Sequence, residues 1–263
     1  MKRKQLEIGH KIATVYEVAG TGDVAAVFLH GVGGNGRMWA GTMRALRRYG
    51  RMISIDLPGF ADHREPLEDL SAYAPFVGEV LAALDIEAAV WVGNSFGGRI
   101  ALEAALELPE RVRGLALLCS AGVHVAGVPV VPPNSIPKEE FDRLAFYNTE
   151  RFTMLQSEES RQTTMRSGEL YATLAGRTAV LDFAQRLGEI RVPTHVIWGR
   201  HDGVLPLPIG EWIAGQIPGA ELTVLERTAH VPQLERPAEV EAVVQRLFDR
   251  VTQVASVCES RHI

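Results

Sequence analysis

Cysteine is nearly absent: Cys119 and Cys258 are the only two in 263 residues, and they stand far apart. That excludes a disulfide-stapled scaffold and a zinc site built on closely spaced cysteines, and leaves buried or free thiols as the expectation. No H-E-x-x-H stretch occurs, so no metal is expected in the chemistry. Basic charge is not in excess. Lys and Arg number 27 against 32 Asp and Glu, and the net charge of -5 argues against a nucleic-acid partner. Long apolar runs are missing but for one imitation. Between Gly114 and Pro133 the only titratable side chains are Cys119 and His124, yet Gly122, Gly127, Pro129 and Pro132–Pro133 interrupt the stretch. It reads as a buried strand running into a loop, not a membrane span. The opening MKRKQLEIGHKI has no long apolar stretch behind its basic residues. No secretory signal is expected, and a cytoplasmic, membrane-free setting is. Repeats, low-complexity tracts and a dedicated dimer zipper are not seen.

What is present is ordinary for a globular chain: 46% hydrophobic and 22% charged residues, enough to bury a substantial core. Two β-prone runs, Lys4–Ile8 and Ile12–Val18, flank Gly9–His10, which suits a hairpin. Short apolar runs follow at Ala25–Leu29, Met52–Ile55, Ala89–Val92, Gly114–Leu118, Thr194–Trp198 and Leu222–Leu225. Continuous apolar runs of this length mark strands covered on both faces. Helical patterns lie between most of them: Met38–Tyr49, Leu70–Leu84, Phe96–Leu108 and Pro206–Ile217. A last one, Pro237–Val254, starts with proline and repeats apolar residues at Val240, Val243, Val244, Leu247 and Phe248. Strand and helix alternate, so the expected class is α/β, a mostly parallel sheet flanked by helices. The rhythm breaks between Cys119 and Thr194. Lys138–Glu189 there reads as helical and mixed in charge, either a lid over the sheet's carboxyl edge or a structural excursion.

In "AVWVGNSFGGRIALEAA", Gly93, Asn94, Ser95, Phe96 and Gly97 spell G-x-S-x-G between a strand and a helix. Small residues two before and two after the serine permit a tight corner that projects the hydroxyl from the sheet edge. The N–H of Phe96, at the helix start, would face an oxyanion there. A glycine-rich turn whose serine caps the helix is the plainer alternative. A hydroxyl needs a base, and the base an orienting acid. Eight histidines compete. His195 lies inside a strand run, His10 in the hairpin, His262 in the tail, and His63 and His124 in loops. His230, in "LERTAHVPQLERP", follows the last strand and reaches the carboxyl edge. Asp202, in "WGRHDGVLP", sits in the loop after the preceding strand, with His201 a bystander. The order Ser95, Asp202, His230 is that of α/β-hydrolases.

"FLHGVGG", "SIDLPGF", "VGNSFGGRIAL", "WGRHDGVLP" and "TAHVPQLERP" together resemble the α/β-hydrolase superfamily over nearly the whole chain. The resemblance implies an eight-stranded sheet, a helical cap after strand six, and the triad above. It implies core segments 1–121 and 190–255, a cap at 122–189 and a frayed tail at 256–263. It also implies an oxyanion hole from the backbone N–H groups of Val32 and Phe96, with Gly31 beside it and His30 holding the loop. The expected reaction is acyl transfer on small, largely apolar carboxylic esters, with no cofactor. "GNSFGG" further resembles hydrolases that cleave carbon–carbon bonds in ring-fission dienones, where Asn94 would help bind substrate. Those usually carry tryptophan after the catalytic histidine, and here Val231 stands there. Serine at the elbow argues against haloalkane dehalogenases and epoxide hydrolases, which use aspartate. Trp39, Phe96, Val123, Val125 and Val231 are candidates for an apolar lining, and Phe141, Phe146, Tyr147, Phe152, Met154 and Leu155 for a cover.

Two readings from other classes stand beside this one. Gly31, Gly33 and Gly36 spell G-x-G-x-x-G after a strand, and Asp56 follows Gly36 at about the twenty-residue distance of a dinucleotide-binding fingerprint. That oxidoreductase reading leaves Ser95, Asp202 and His230 without a task, and Asp56 runs into Pro58–Gly59, which suits a turn. The other is a small-molecule receptor that retains the triad with vestigial turnover.

Overall fold

Each of the eight runs is a strand, and all eight join one sheet. They are β1 (Lys2–Ile8), β2 (Lys11–Val18), β3 (Ala26–Leu29), β4 (Met52–Asp56), β5 (Ala89–Asn94), β6 (Val112–Leu118), β7 (Thr194–Gly199) and β8 (Glu221–Leu225). The structure is a computed structural model that describes residues 1–61, 65–155, 158–177 and 183–259, without the side chains of 153–155, 158–161, 184 and 254–259. His63, His262 and the side chains of Met154, Leu155 and Cys258 therefore lie outside the described residues. The spatial order is β1-β2-β4-β3-β5-β6-β7-β8. β1 and β2 form the hairpin around Gly9–His10, β2 pairs antiparallel with β4, and the remaining pairs are parallel.

The central strands, β3 to β7, are almost wholly buried because helices cover both faces, whereas the edge strand β1 is polar and exposed. α1 (Ala40–Leu46) and α9 (Pro237–Glu259) cover one, and α2 (Tyr73–Ala83), α3 (Phe96–Glu107) and α7 (Leu207–Gln216) the other. Alternation along β3 divides the chain between them. Ala26 and Phe28 pack with Met43 and Leu247, while Val27 and Leu29 pack with the layer of Val77, Ile100 and Ile209. The helix expected over Met38–Tyr49 is three pieces: a 3-10 turn at Gly36–Trp39, α1, and a second 3-10 turn at Arg47–Tyr49. The last helix runs past the expected end at Val254 to Glu259, so the first part of the expected frayed tail is helical. β6 ends in a loop, and among the described residues no helix is long and apolar enough to cross a membrane.

Between β6 and β7 lie α4 (Lys138–Ala145), α5 (Thr149–Leu155) and α6 (Glu158–Arg177). The short α8 (Pro232–Glu235) follows β8. The loops after β3, β5, β7 and β8 all leave the carboxyl edge of the sheet, which is where their polar residues gather.

Candidate active site

Ser95 follows β5 directly and has φ 54° and ψ -113°, a conformation costly for a residue with a side chain. Its surroundings hold it there. Its N–H donates to Leu118 O at 3.0 Å, and its carbonyl accepts from Arg99 N at 3.1 Å and Ala121 N at 3.0 Å. The corner is tight enough to demand glycine on both sides. A Cβ on Gly93 would lie 2.2 Å from Gly97 O, and one on Gly97 would lie 2.3 Å from Leu29 O. Phe96 opens α3, so its N–H belongs to the first turn, which has no intrahelical acceptor.

Asp202 and His230 come from the loops after β7 and β8 and meet. His230 Nδ1 donates to Asp202 Oδ2 at 2.8 Å, with the aspartate side chain fully buried. The other oxygen, Oδ1, accepts from Val204 N and Leu205 N, each at 2.9 Å, which fixes the carboxylate plane. With Nδ1 engaged, Nε2 is the nitrogen left to face the cavity. Asn94 ties the His230 loop to the strand end beside Ser95: its Nδ2 donates to His230 O at 3.0 Å and to Leu118 O at 3.1 Å. Cys119 lies under the pair, its sulfur and the donor atoms of Asp202 and His230 all within 4.8 Å. Burial, with the Asp202 carboxylate adding to it, pushes that thiol well up, so it stays protonated.

The loop after β3 presses on the serine. A Cβ on Gly31 would come within 3.0 Å of Ser95 Cβ. His30 holds this loop from below. Its Nε2 accepts from Leu57 N at 3.0 Å, so Nδ1 carries the proton and donates to Gly31 O at 2.8 Å. Complete burial lowers its pKa and keeps the ring neutral. Asp56 is engaged close by: Oδ1 accepts from Gly36 N at 2.7 Å and Oδ2 from the Tyr16 hydroxyl at 3.0 Å. It is buried and orders the glycine loop, so it is not presented to a ribose.

Gly31, Val32, Asn94, Ser95, Phe96, His230 and Val231 line one cavity of about 530 Å³. Val123, Phe141, Phe146 and Phe152 also line it. Trp39 does not. It is fully buried on the opposite face of the sheet, its ring 5.5 Å from that of Phe28, while its neighbour Met38 lines the cavity instead. Both belong to the 3-10 turn at Gly36–Trp39, and Met38, partly buried, also packs against the core cluster that holds Trp39. Val125 packs against the core, and Tyr147 is half exposed with its ring against His201. Residues unnoticed in the sequence complete the walls: Val130 to Asn134, Lys138, Asp142, Tyr171 and Leu234. The i,i+4 spacing of Lys138 and Asp142 is the one signal that marks any of them. Glu235 also passed unnoticed. Its Oε2 accepts from Ala229 N at 2.7 Å and its Oε1 from Tyr147 N at 2.8 Å.

With this geometry in place, comparison with known proteins decides the family. Residues 26–243 match the family model described as "Alpha/beta hydrolase family". The chain belongs to the alpha/beta hydrolase family. The expected fold and membership are borne out, and the family places the chain among the hydrolases. This hydrolase is 31% identical over 280 residues to a 2-hydroxy-6-oxononadienedioate/2-hydroxy-6-oxononatrienedioate hydrolase of Paraburkholderia phymatum, covering 94% of each chain. It is 30% identical over 261 residues to a pimeloyl-[acyl-carrier protein] methyl ester esterase of Yersinia enterocolitica, covering 90% of this chain and 97% of that one. A bacterial membrane phospholipase A of known structure superposes with a TM-score of 0.82 at 24% identity, covering 95% of this chain and 86% of that one, a likeness of fold.

Proposed function

We propose that this hydrolase cleaves small, largely apolar carboxylic esters through an acyl-enzyme on Ser95. The observation that carries the reading is the buried Asp202–His230 pair opening onto the same cavity as the strained Ser95. His230 Nε2 takes the hydroxyl proton of Ser95 as Oγ attacks the ester carbonyl. Asp202 holds the Nδ1–H tautomer and stabilises the imidazolium. The N–H groups of Val32 and Phe96 receive the oxyanion. The C–O bond to the leaving alkoxide breaks as that oxygen takes the proton from His230. Water then attacks the acyl carbon, gives a proton to His230, and releases the acid as Ser95 regains its hydrogen. Residues 122–189 act as the cap over this chemistry, and a small molecule in an apolar cavity is the only partner invoked.

A second reading, hydrolysis of a carbon–carbon bond in a ring-fission dienone, is favoured by the G-N-S-F-G elbow and by the dienedioate hydrolase similar over nearly the full length. A panel of 4-nitrophenyl esters of graded acyl length, a ring-fission dienone and Ser95→Ala separate the possibilities. Ester turnover that depends on Ser95 and exceeds dienone turnover is expected. Faster dienone cleavage would install the second reading. Ligand binding with turnover equal in wild type and Ser95→Ala would mark a receptor.

A further inference from the structure

Three donor side chains from separate segments meet beneath the cavity. Cys119 follows β6, Asp202 lies in the loop after β7, and His230 in the loop after β8. The Cys119 sulfur, a carboxylate oxygen of Asp202 and a ring nitrogen of His230 lie within 4.8 Å of one another, the one such cluster of three among the described residues. All three side chains are buried. Each is also held in place. Asp202 Oδ1 accepts from Val204 N and Leu205 N. The Cys119 sulfur stands 3.6 Å from Ala229 O. His230 is bonded through its N–H to Ala145 and through its carbonyl to Asn94.

Thiolate, imidazole and carboxylate together are the donors of zinc and similar divalent cations, whereas magnesium takes oxygen ligands. Tetrahedral zinc holds such donors about 3.4–3.6 Å apart. The Nδ1–Oδ2 pair, now at 2.8 Å, would open by about 0.6 Å, and the sulfur would close by no more than about 1.2 Å. We propose that Cys119, Asp202 and His230 form an inhibitory site for a zinc-like divalent cation that takes His230 away from Ser95. The proposal rests on the reading of His230 as the base and adds a means of switching it off. The ion bonds Sγ, Oδ2 and Nδ1, and a water completes the tetrahedron. The thiol gives its proton to solvent. The hydrogen on Nδ1 is displaced and Nε2 gains one, so the ring keeps a single hydrogen. Nε2 then has no lone pair to receive the proton of Ser95. Thiolate and carboxylate cancel the two positive charges, and a neutral metal site is tolerated in a buried position.

Wild type, Cys119→Ala and Cys258→Ser are assayed on one 4-nitrophenyl ester against rising zinc chloride, with magnesium chloride as the control. Zinc is expected to inhibit wild type and Cys258→Ser, magnesium neither. The half-inhibitory zinc concentration should be at least about tenfold higher in Cys119→Ala. The ratio of inhibited to free rate within one variant is insensitive to loss of folded protein. No zinc inhibition of wild type, or inhibition unmoved in Cys119→Ala, would overturn the proposal. Zinc-edge X-ray absorption of Cys258→Ser with one equivalent of the ion needs neither turnover nor the alanine variant. One sulfur at about 2.3 Å is expected, and a shell of nitrogen and oxygen alone would overturn the site. Sulfur in that shell, in a protein with no Ser95-dependent ester cleavage, would uphold the site and count against ester hydrolysis.

Discussion

The N–H of His230 and the carbonyl of Ala145 are joined at 3.0 Å, so the proposed base is bonded through its backbone to the last turn of α4. Gly203 N–H makes the same kind of bond to Leu144 O at 3.1 Å, tying the loop of Asp202 to that turn. The loops of Asp202 and His230 and the last turn of α4 are therefore one hydrogen-bonded unit, and Glu235 joins Ala229 to Tyr147 beside it.

Glu235→Gln tests that junction. The carboxylate accepts from Ala229 N and Tyr147 N, and an amide replaces one acceptor with a donor facing an N–H. A stability loss of about 1–3 kcal/mol is expected by thermal melting. Loosening α4 from the His230 loop should also raise KM for esters more than it lowers kcat, and Glu235→Ala should exceed Glu235→Gln in both respects.

Asp202→Asn should lower kcat by about ten-thousand-fold with KM little changed, because the amide favours the wrong imidazole tautomer. Steady-state kinetics on one good ester measures it. A loss below about tenfold would show that Asp202 does not orient the base.

His30→Ala should lower kcat by about ten- to a hundredfold, the scale of a weakened oxyanion donor. The ring bridges Leu57 N–H to the Gly31 carbonyl, and Val32 follows at once. KM should move less than kcat, since the loop meets charge that develops only during reaction.

Glu103, on α3, is buried with Oε2 lacking a hydrogen-bond partner among the described residues, and burial raises its pKa to about 7. Glu107 and Asp69 add to the rise, while Arg99 opposes it. The folded state therefore holds this proton more tightly than the unfolded chain does. Stability contributed by the proton is complete below the ordinary carboxylate range and is lost as pH climbs to about 7. Glu103→Gln should raise the melting temperature by roughly 5 °C at pH 8 and change it little at pH 4, read by calorimetry at both pH values.

Much of this is legible in the sequence because the sheet is covered on both faces. Near-complete burial makes β3 through β7 short and mostly apolar, and the loops after β5, β7 and β8 then place Ser95, Asp202 and His230 at one edge. What alternation along a strand reveals, a single tight turn conceals. Met38 and Trp39 are neighbours in sequence, yet Trp39 is wholly buried in the core, while Met38 packs against that core only in part and also lines the cavity. Asn94 reads as a substrate ligand and does line the cavity, and the sequence does not reveal that its amide nitrogen is also given to two backbone carbonyls. Glu235 is invisible beforehand because its partners are backbone N–H groups, which carry no side-chain signal, and one of them, that of Tyr147, is distant in sequence.

Trapping the acyl-enzyme tests the central claim most directly. Wild type mixed with a 4-nitrophenyl ester and quenched within one turnover is digested and mapped by mass spectrometry. The account predicts an acyl adduct on the peptide bearing Ser95, accompanied by a stoichiometric burst of nitrophenolate and absent in Ser95→Ala. Turnover with no adduct, or an adduct on another residue that persists in Ser95→Ala, would contradict it.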